Sequence, residues 1–126
     1  MNVVDSSGWL EYFGDGPNAA YFAGPLGKVD DLIVPAISVF EVFKRVLQQR
    51  DEASALQAAA LMQQGRTVAL EPALAMAAAK LSHDLKLPMA DSIILATARQ
   101  FNAVLWTQDA DFENLPGVRY LAATRA

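Results

Sequence analysis

Five short apolar runs, separated by helix-forming sequence, constrain this chain more than any other feature. "NVV" at 2–4 ends at Asp5, "LIV" at 32–34 ends at Pro35, and "TVAL" at 67–70 is followed by Glu71 and Pro72. "AVLWT" at 103–107 precedes Gln108 and Asp109, and "VRYL" at 118–121 lies near the end. Runs this short, rich in β-branched and large apolar residues and bounded by turn or cap residues, read as strands. Between them, Ser38 and Glu41 read as a capping box ahead of "VFKRVLQQR", and "DEASALQAAALMQQG" has high helix propensity and ends at a glycine. Pro72 opens a helix whose buried stripe is Leu74, Ala78, Leu81 and Leu85, and Pro88 opens the last long helix. The glycines and prolines of 15–31 allow only a short helix plus turns. Strands alternating with helices predict an α/β fold, a small, mainly parallel sheet covered on both faces. The 126 residues fit one domain, 1–126, with no repeat or linker.

Composition narrows the chemistry. Apolar residues make up 53%, but no run approaches the roughly 20 residues of a membrane span. The start, "MNVVDSSGWL", has neither a basic region nor a long apolar stretch, so a cytoplasmic location is expected. With no cysteine, disulfides and thiolate metal sites are excluded. His83 is the only histidine, beside Ser82 and Asp84 in a helix, where a surface role is expected. No oxyanion or elbow motif supports a Ser–His–Asp arrangement through Ser6 or Ser7, and no glycine-rich phosphate loop is present.

The acids fall where an open parallel sheet collects ligands, outside the carboxyl ends of its strands. Asp5 directly follows the first strand, and Asp109 lies two residues past the fourth. Asp91 stands in the first turn of the last long helix and heads a stripe continued by Ile94, Ala98 and Phe101. Glu41, at the start of another helix, is placed to join them. Each acid also has an ordinary structural role. Asp5 and Asp109 suit helix caps or Asx-turns, and Glu41 suits the capping box or an i+4 pair with Arg45. Asp91 is hardest to account for in that way. The helix dipole favours an acid in the first turn but does not require it on a core-facing stripe, where an unpaired carboxylate is costly. A shared cation resolves that cost for all of them, and oxygen-only ligands suit Mg²⁺ or Mn²⁺ rather than Zn²⁺.

Four segments, "VVDSSGWLEYF", "SVFEVFKR", "PMADSIILATA" and "LWTQDADFENLPGV", resemble in order and spacing those of the PIN-domain nucleases. The closest likeness is to the toxin halves of VapBC-type toxin–antitoxin pairs, and it spans essentially the whole chain. The resemblance implies a three-layer α/β/α sandwich that gathers acids around Mg²⁺ or Mn²⁺ and cuts single-stranded or loop RNA, leaving 5′-phosphate and 3′-hydroxyl ends. By motif, Asp5, Glu41, Asp91 and Asp109 take the catalytic places. Asp5, Asp91 and Asp109 are the implied metal ligands, and Glu41 is a further ligand or orients the water. Thr107, Asp111 and Ser6 have supporting roles. Ala110 replaces the more usual basic residue between the last-motif acids. The resemblance also implies a VapB-like antitoxin partner, with an Arg or Lys entering the acidic pocket, and a homodimer.

The net charge of −4 argues against a nucleic-acid binder only until these acids are set aside. Of 14 acids, five (Asp5, Glu41, Asp91, Asp109, Asp111) belong to the site, leaving nine against 10 Lys plus Arg. Lys44, Arg45 and Arg50 are candidates for backbone phosphate contacts beside Glu41, or else a solvated helix face. Trp9, Tyr12 and Phe13, at i, i+3 and i+4, suit core packing or a groove for a partner helix. Four alternatives remain. A phosphatase of the haloacid-dehalogenase type needs D-x-D where this chain has Asp5-Ser6-Ser7, and a receiver-like domain needs paired acids near the first strand and a late lysine. The others are a non-catalytic module of the same fold and a PIN-type nuclease of RNA processing without an antitoxin.

Overall fold

The computed structural model describes residues 1–124. Five parallel strands form one sheet: β1 (Asn2–Val4), β2 (Leu32–Pro35), β3 (Arg66–Val68), β4 (Val104–Thr107) and β5 (Val118–Tyr120), in the order β3-β2-β1-β4-β5. The chain moves outward from β1 in one direction and then returns to place β4 on its other side. The β1/β4 boundary is therefore the switch point at which such sheets open a crevice.

Six helices cover the two faces: α1 (Ser6–Phe13), α2 (Ala19–Gly27), α3 (Ala36–Gln49), α4 (Glu52–Met62), α5 (Pro72–Leu85) and α6 (Met89–Gln100). The period-2 alternation of the strands divides the core. Val4, Leu32 and Val34 pack with Trp9, Phe22, Val42, Val46 and Met62 from α1–α4. Val3, Ile33 and Leu105 pack with Ile94, Leu95 and Ala98 of α6 on the opposite face, where Leu74 and Ala78 of α5 extend the layer. The expected α/β/α sandwich is present.

Two local expectations need correction. β2 runs straight into α3, which begins at Ala36 with Pro35 at its N-cap and no side-chain cap. Ser38 consequently lies inside the helix, buried and with its hydroxyl unpartnered, so Ser38 and Glu41 form no capping box. The α5 stripe ends at Leu81, because Leu85 in the last turn is 37% exposed. Pro88 opens α6 from its N-cap, as expected. The 15–31 segment folds as the short α2 followed by a 3₁₀ turn at Val29–Asp31.

Candidate metal centre

The site is assembled at the carboxyl ends of β1 and β4. Asp5 ends β1 in extended geometry and caps α1, its Oδ1 accepting from the Gly8 amide at 3.0 Å and the Ser7 hydroxyl at 2.7 Å. α1 comes so close to the sheet that a Cβ on Gly8 would lie 2.6 Å from Val4 Cγ1, which is why this turn requires glycine. The other oxygen, Oδ2, accepts from Thr107 Oγ1 at 2.8 Å, across the switch point. Thr107 Oγ1 in turn accepts from the Asp109 amide at 2.9 Å. Asp109 Oδ1 accepts from the Asp111 amide at 2.9 Å and caps the 3₁₀ turn Ala110–Phe112. The capping roles open to Asp5 and Asp109 are thus real, and they fix the direction of each carboxylate.

Asp91 approaches from the other layer. It lies in the first turn of α6, and Ile94 and Ala98 behind it are buried. One carboxylate oxygen from each of Asp91, Asp109 and Asp111 lies within 4.8 Å of the others. Among the described residues no basic side chain pairs with them. Among the described residues the ion pairs are Lys80–Asp84 and His83–Asp84, both on α5.

Burial, with the neighbouring acids, raises two of these carboxyls. Burial, reinforced by the charge of Asp109, a hydrogen bond with Asp111 and the charge of Asp5, pushes Asp91 up to about 8. Burial also raises Asp5 to about 6, against the opposing pull of its hydrogen bonds from Ser7, Thr107 and Gly8. Oxygen-only donors that repel one another suit a hard divalent cation, and Mg²⁺ or Mn²⁺ fits this donor set.

The remaining expected residues divide. Glu41 pairs with neither Ser38 nor Arg45 but accepts from Ser6 Oγ at 2.6 Å, which ties α3 to the start of α1 beside Asp5. Asp5 and Glu41 lie outside the mutual contact of the three aspartates. Lys44 and Arg45 are exposed on α3, and His83 is exposed on α5, 3.1 Å from Asp84. Trp9 is buried and stacks on Phe13 with centroids 5.6 Å apart, whereas Tyr12 is exposed. Two features go beyond the sequence reading. Asp111, expected in a supporting role, stands in the converging trio itself, which the alternate-residue spacing Asp109-x-Asp111 around a tight turn signals. Ser7 orients Asp5, and only its position just after a cap residue hints at that.

The sequence matches the PIN domain over residues 3–118. The chain belongs to the PIN-domain family. Among curated proteins none matches by sequence. Several solved structures share its PIN fold. A toxin–antitoxin complex from Klebsiella pneumoniae aligns with a TM-score of 0.78 at 22% identity, over 94% of this chain and 96% of that one. The Mycobacterium tuberculosis VapC20, described as a sarcin–ricin-loop-cleaving toxin, aligns at 0.74 and 17%, over 89% and 92%. VapBC2 from Rickettsia felis, bound to a DNA fragment from its promoter, aligns at 0.73 and 13%, over 96% and 97%. No helix among the described residues of this PIN domain is long and apolar enough to cross a membrane.

Proposed function

We propose that this PIN domain is a Mg²⁺- or Mn²⁺-dependent endoribonuclease that acts in the cytoplasm as the toxin of a toxin–antitoxin pair. The observation that carries the reading is the convergence of Asp91, Asp109 and Asp111 within 4.8 Å, with no basic side chain among the described residues paired to them. Membership of the PIN family supports it, as do structural relatives described as VapC toxins and toxin–antitoxin complexes.

In this reading Asp91, Asp109 and Asp111 hold the cation, with Asp5 beside them. A bound divalent ion supplies charge neutralisation at the scissile phosphate and a water of lowered pKa. The chain's own groups do the positioning. Thr107 and Ser7 hold Asp5, Ser6 holds Glu41, and Glu41 orients the attacking water. Water adds to phosphorus, the P–O3′ bond breaks, and the products carry a 5′-phosphate and a 3′-hydroxyl. Lys44 and Arg45 contact the RNA backbone. A nuclease that acts as a toxin calls for a protein that covers its acids. A VapB-like antitoxin presenting Arg to the carboxylates fits, because guanidinium pairs bidentately with them. A homodimer completes the assembly.

RNA cleavage by the purified chain tests the reading. Activity should stop in EDTA, return with Mn²⁺ and vanish in Asp91→Asn. Expression alone should arrest bacterial growth, and co-expression of an adjacent small antitoxin gene should relieve the arrest. Robust cleavage in EDTA overturns the mechanism, and growth unaffected by an abundant, folded, active nuclease overturns the toxin role.

A further inference from the structure

Six polar or charged residues are buried among those described: Asp5, Asn18, Ser38, Ser92, Thr97 and Thr107. Ser92 and Thr97 return their hydroxyls to carbonyls of their own helix, at Met89 and Ile93. Ser38 has no partner, and Asp5 and Thr107 bond to each other. Asn18 alone remains, and its bonds reach far along the chain. It stands at the N-cap of α2, where an asparagine ordinarily accepts from the following turn, but its side chain makes no capping bond. Its Nδ2 donates instead to Gln108 Oε1 at 3.1 Å and to the Ala122 carbonyl at 3.0 Å. A carbonyl only accepts, so the amide nitrogen must face Ala122. The Asn18 backbone amide donates to Glu11 Oε2 at 2.7 Å.

One residue therefore joins α1, the start of α2, the link after β4 and the chain after β5. Gln108 sits between Thr107, which bonds Asp5, and Asp109, which caps the turn bearing Asp111. The clamp is neutral, so it holds this link without adding charge to a site that already concentrates acids.

We propose that Asn18 is a positioning residue for the acid cluster: through Gln108 it holds the 108–111 segment so that Asp109 and Asp111 share one divalent cation with Asp91. The proposal rests on the metal-centre reading above. Partners that orient metal ligands from outside the ligand set typically contribute 10–100-fold in affinity.

Mn²⁺ affinity, measured by calorimetry on the folded full chain, tests it. Asn18→Ala and Gln108→Ala should each weaken binding by about 10- to 100-fold. The double variant should bind no more weakly than the worse single one, because both remove the same link. Urea unfolding without metal separates affinity from packing. A variant that loses stability but keeps its Mn²⁺ affinity assigns Asn18 to packing and overturns the proposal, as do losses that multiply in the double variant. If Asn18→Ala does not fold, Gln108→Ala carries the same test. A parent chain that binds no Mn²⁺ removes the metal-centre reading itself, whereas a parent that binds and an Asn18→Ala protein that binds equally well remove only this one.

Discussion

The β1–α1 junction and the first turn of α6 each hold a buried or half-buried carboxyl with a raised pKa, and they treat it in opposite ways. Asp5 receives bonds from Ser7, Gly8 and Thr107, which oppose what burial costs it. Asp91 receives no comparable donors and faces Asp109, Asp111 and Asp5. One junction is satisfied by donors of the chain, and the other faces like charges that the proposed cation would balance. The proposed centre thus couples a rigid acid, built into the fold, to a strained one that prepays nothing until a cation arrives.

Activity should fail on both sides of this comparison, and that is the largest effect expected. Asp5→Ala and Asp91→Ala should each reduce RNA cleavage by more than about 100-fold, beyond the range of residues that only orient ligands. His83→Ala should leave it unchanged, since His83 is exposed on α5 and bonds only Asp84. An active Asp5→Ala protein would show that the rigid acid serves the fold alone.

Stability should separate the two. Near pH 5, Asp5→Ala removes a helix cap and leaves the buried Thr107 hydroxyl without its acceptor, a loss of about 1–3 kcal/mol in urea unfolding. Asp91→Asn in metal-free protein near pH 8 removes a carboxylate from like charges and should raise the melting temperature. Equal signs for the two would break the comparison.

The pH dependence follows with its sign. Both carboxyls bind protons more tightly in the folded chain than at the ordinary value of 3.8, Asp5 to about 6 and Asp91 to about 8. The folded state then holds more protons than the unfolded one, so this stability is full below about pH 4 and is lost as pH rises through both values. The metal-free melting temperature should fall between pH 5 and 8, and Asp91→Asn should flatten the upper part of the fall. Mn²⁺ binds the deprotonated carboxylates, so its stabilising shift should be larger near pH 8 than near pH 5. A shift independent of pH would leave Asp91 outside the metal site.

The sheet was legible because its strands are short apolar runs whose alternation matches two covered faces, and because turn residues end them. Val3 and Val4 already assign one side chain to each layer. Asp5, Asp91 and Asp109 were legible because strand ends and a helix start lie on one rim whatever the details. What the sequence hides is long-range and polar. The Ser6–Glu41 bond spans 35 positions and Asn18–Gln108 spans 90, and no local pattern encodes either. Asn18 even has the local signature of a cap that it does not serve. The start of α3 was misplaced for a related reason. A serine three residues before a glutamate satisfies the capping pattern, but β2 delivers the chain into helical geometry two residues earlier.

That misplacement yields the smallest and most discriminating prediction. Asp5 is a cap in fact, with its Oδ1 3.0 Å from the Gly8 amide, whereas Ser38 is a cap only by pattern. Were Ser38 the N-cap of α3, Ser38→Ala would cost about 1 kcal/mol. Inside the helix, buried with no partner for its hydroxyl, it contributes a desolvated polar group and no bond. Alanine removes that group, fits the same volume and has the higher helix propensity. The substitution should therefore be neutral or stabilising, within about 0.5–1 kcal/mol by urea unfolding. Because Glu41 is held from α1 by Ser6, Mn²⁺ affinity should not change. A loss of about 1 kcal/mol or more would restore the capping reading and move the start of α3 to Ser38, whereas a loss of metal affinity without a loss of stability would place the Ser38 hydroxyl in the site.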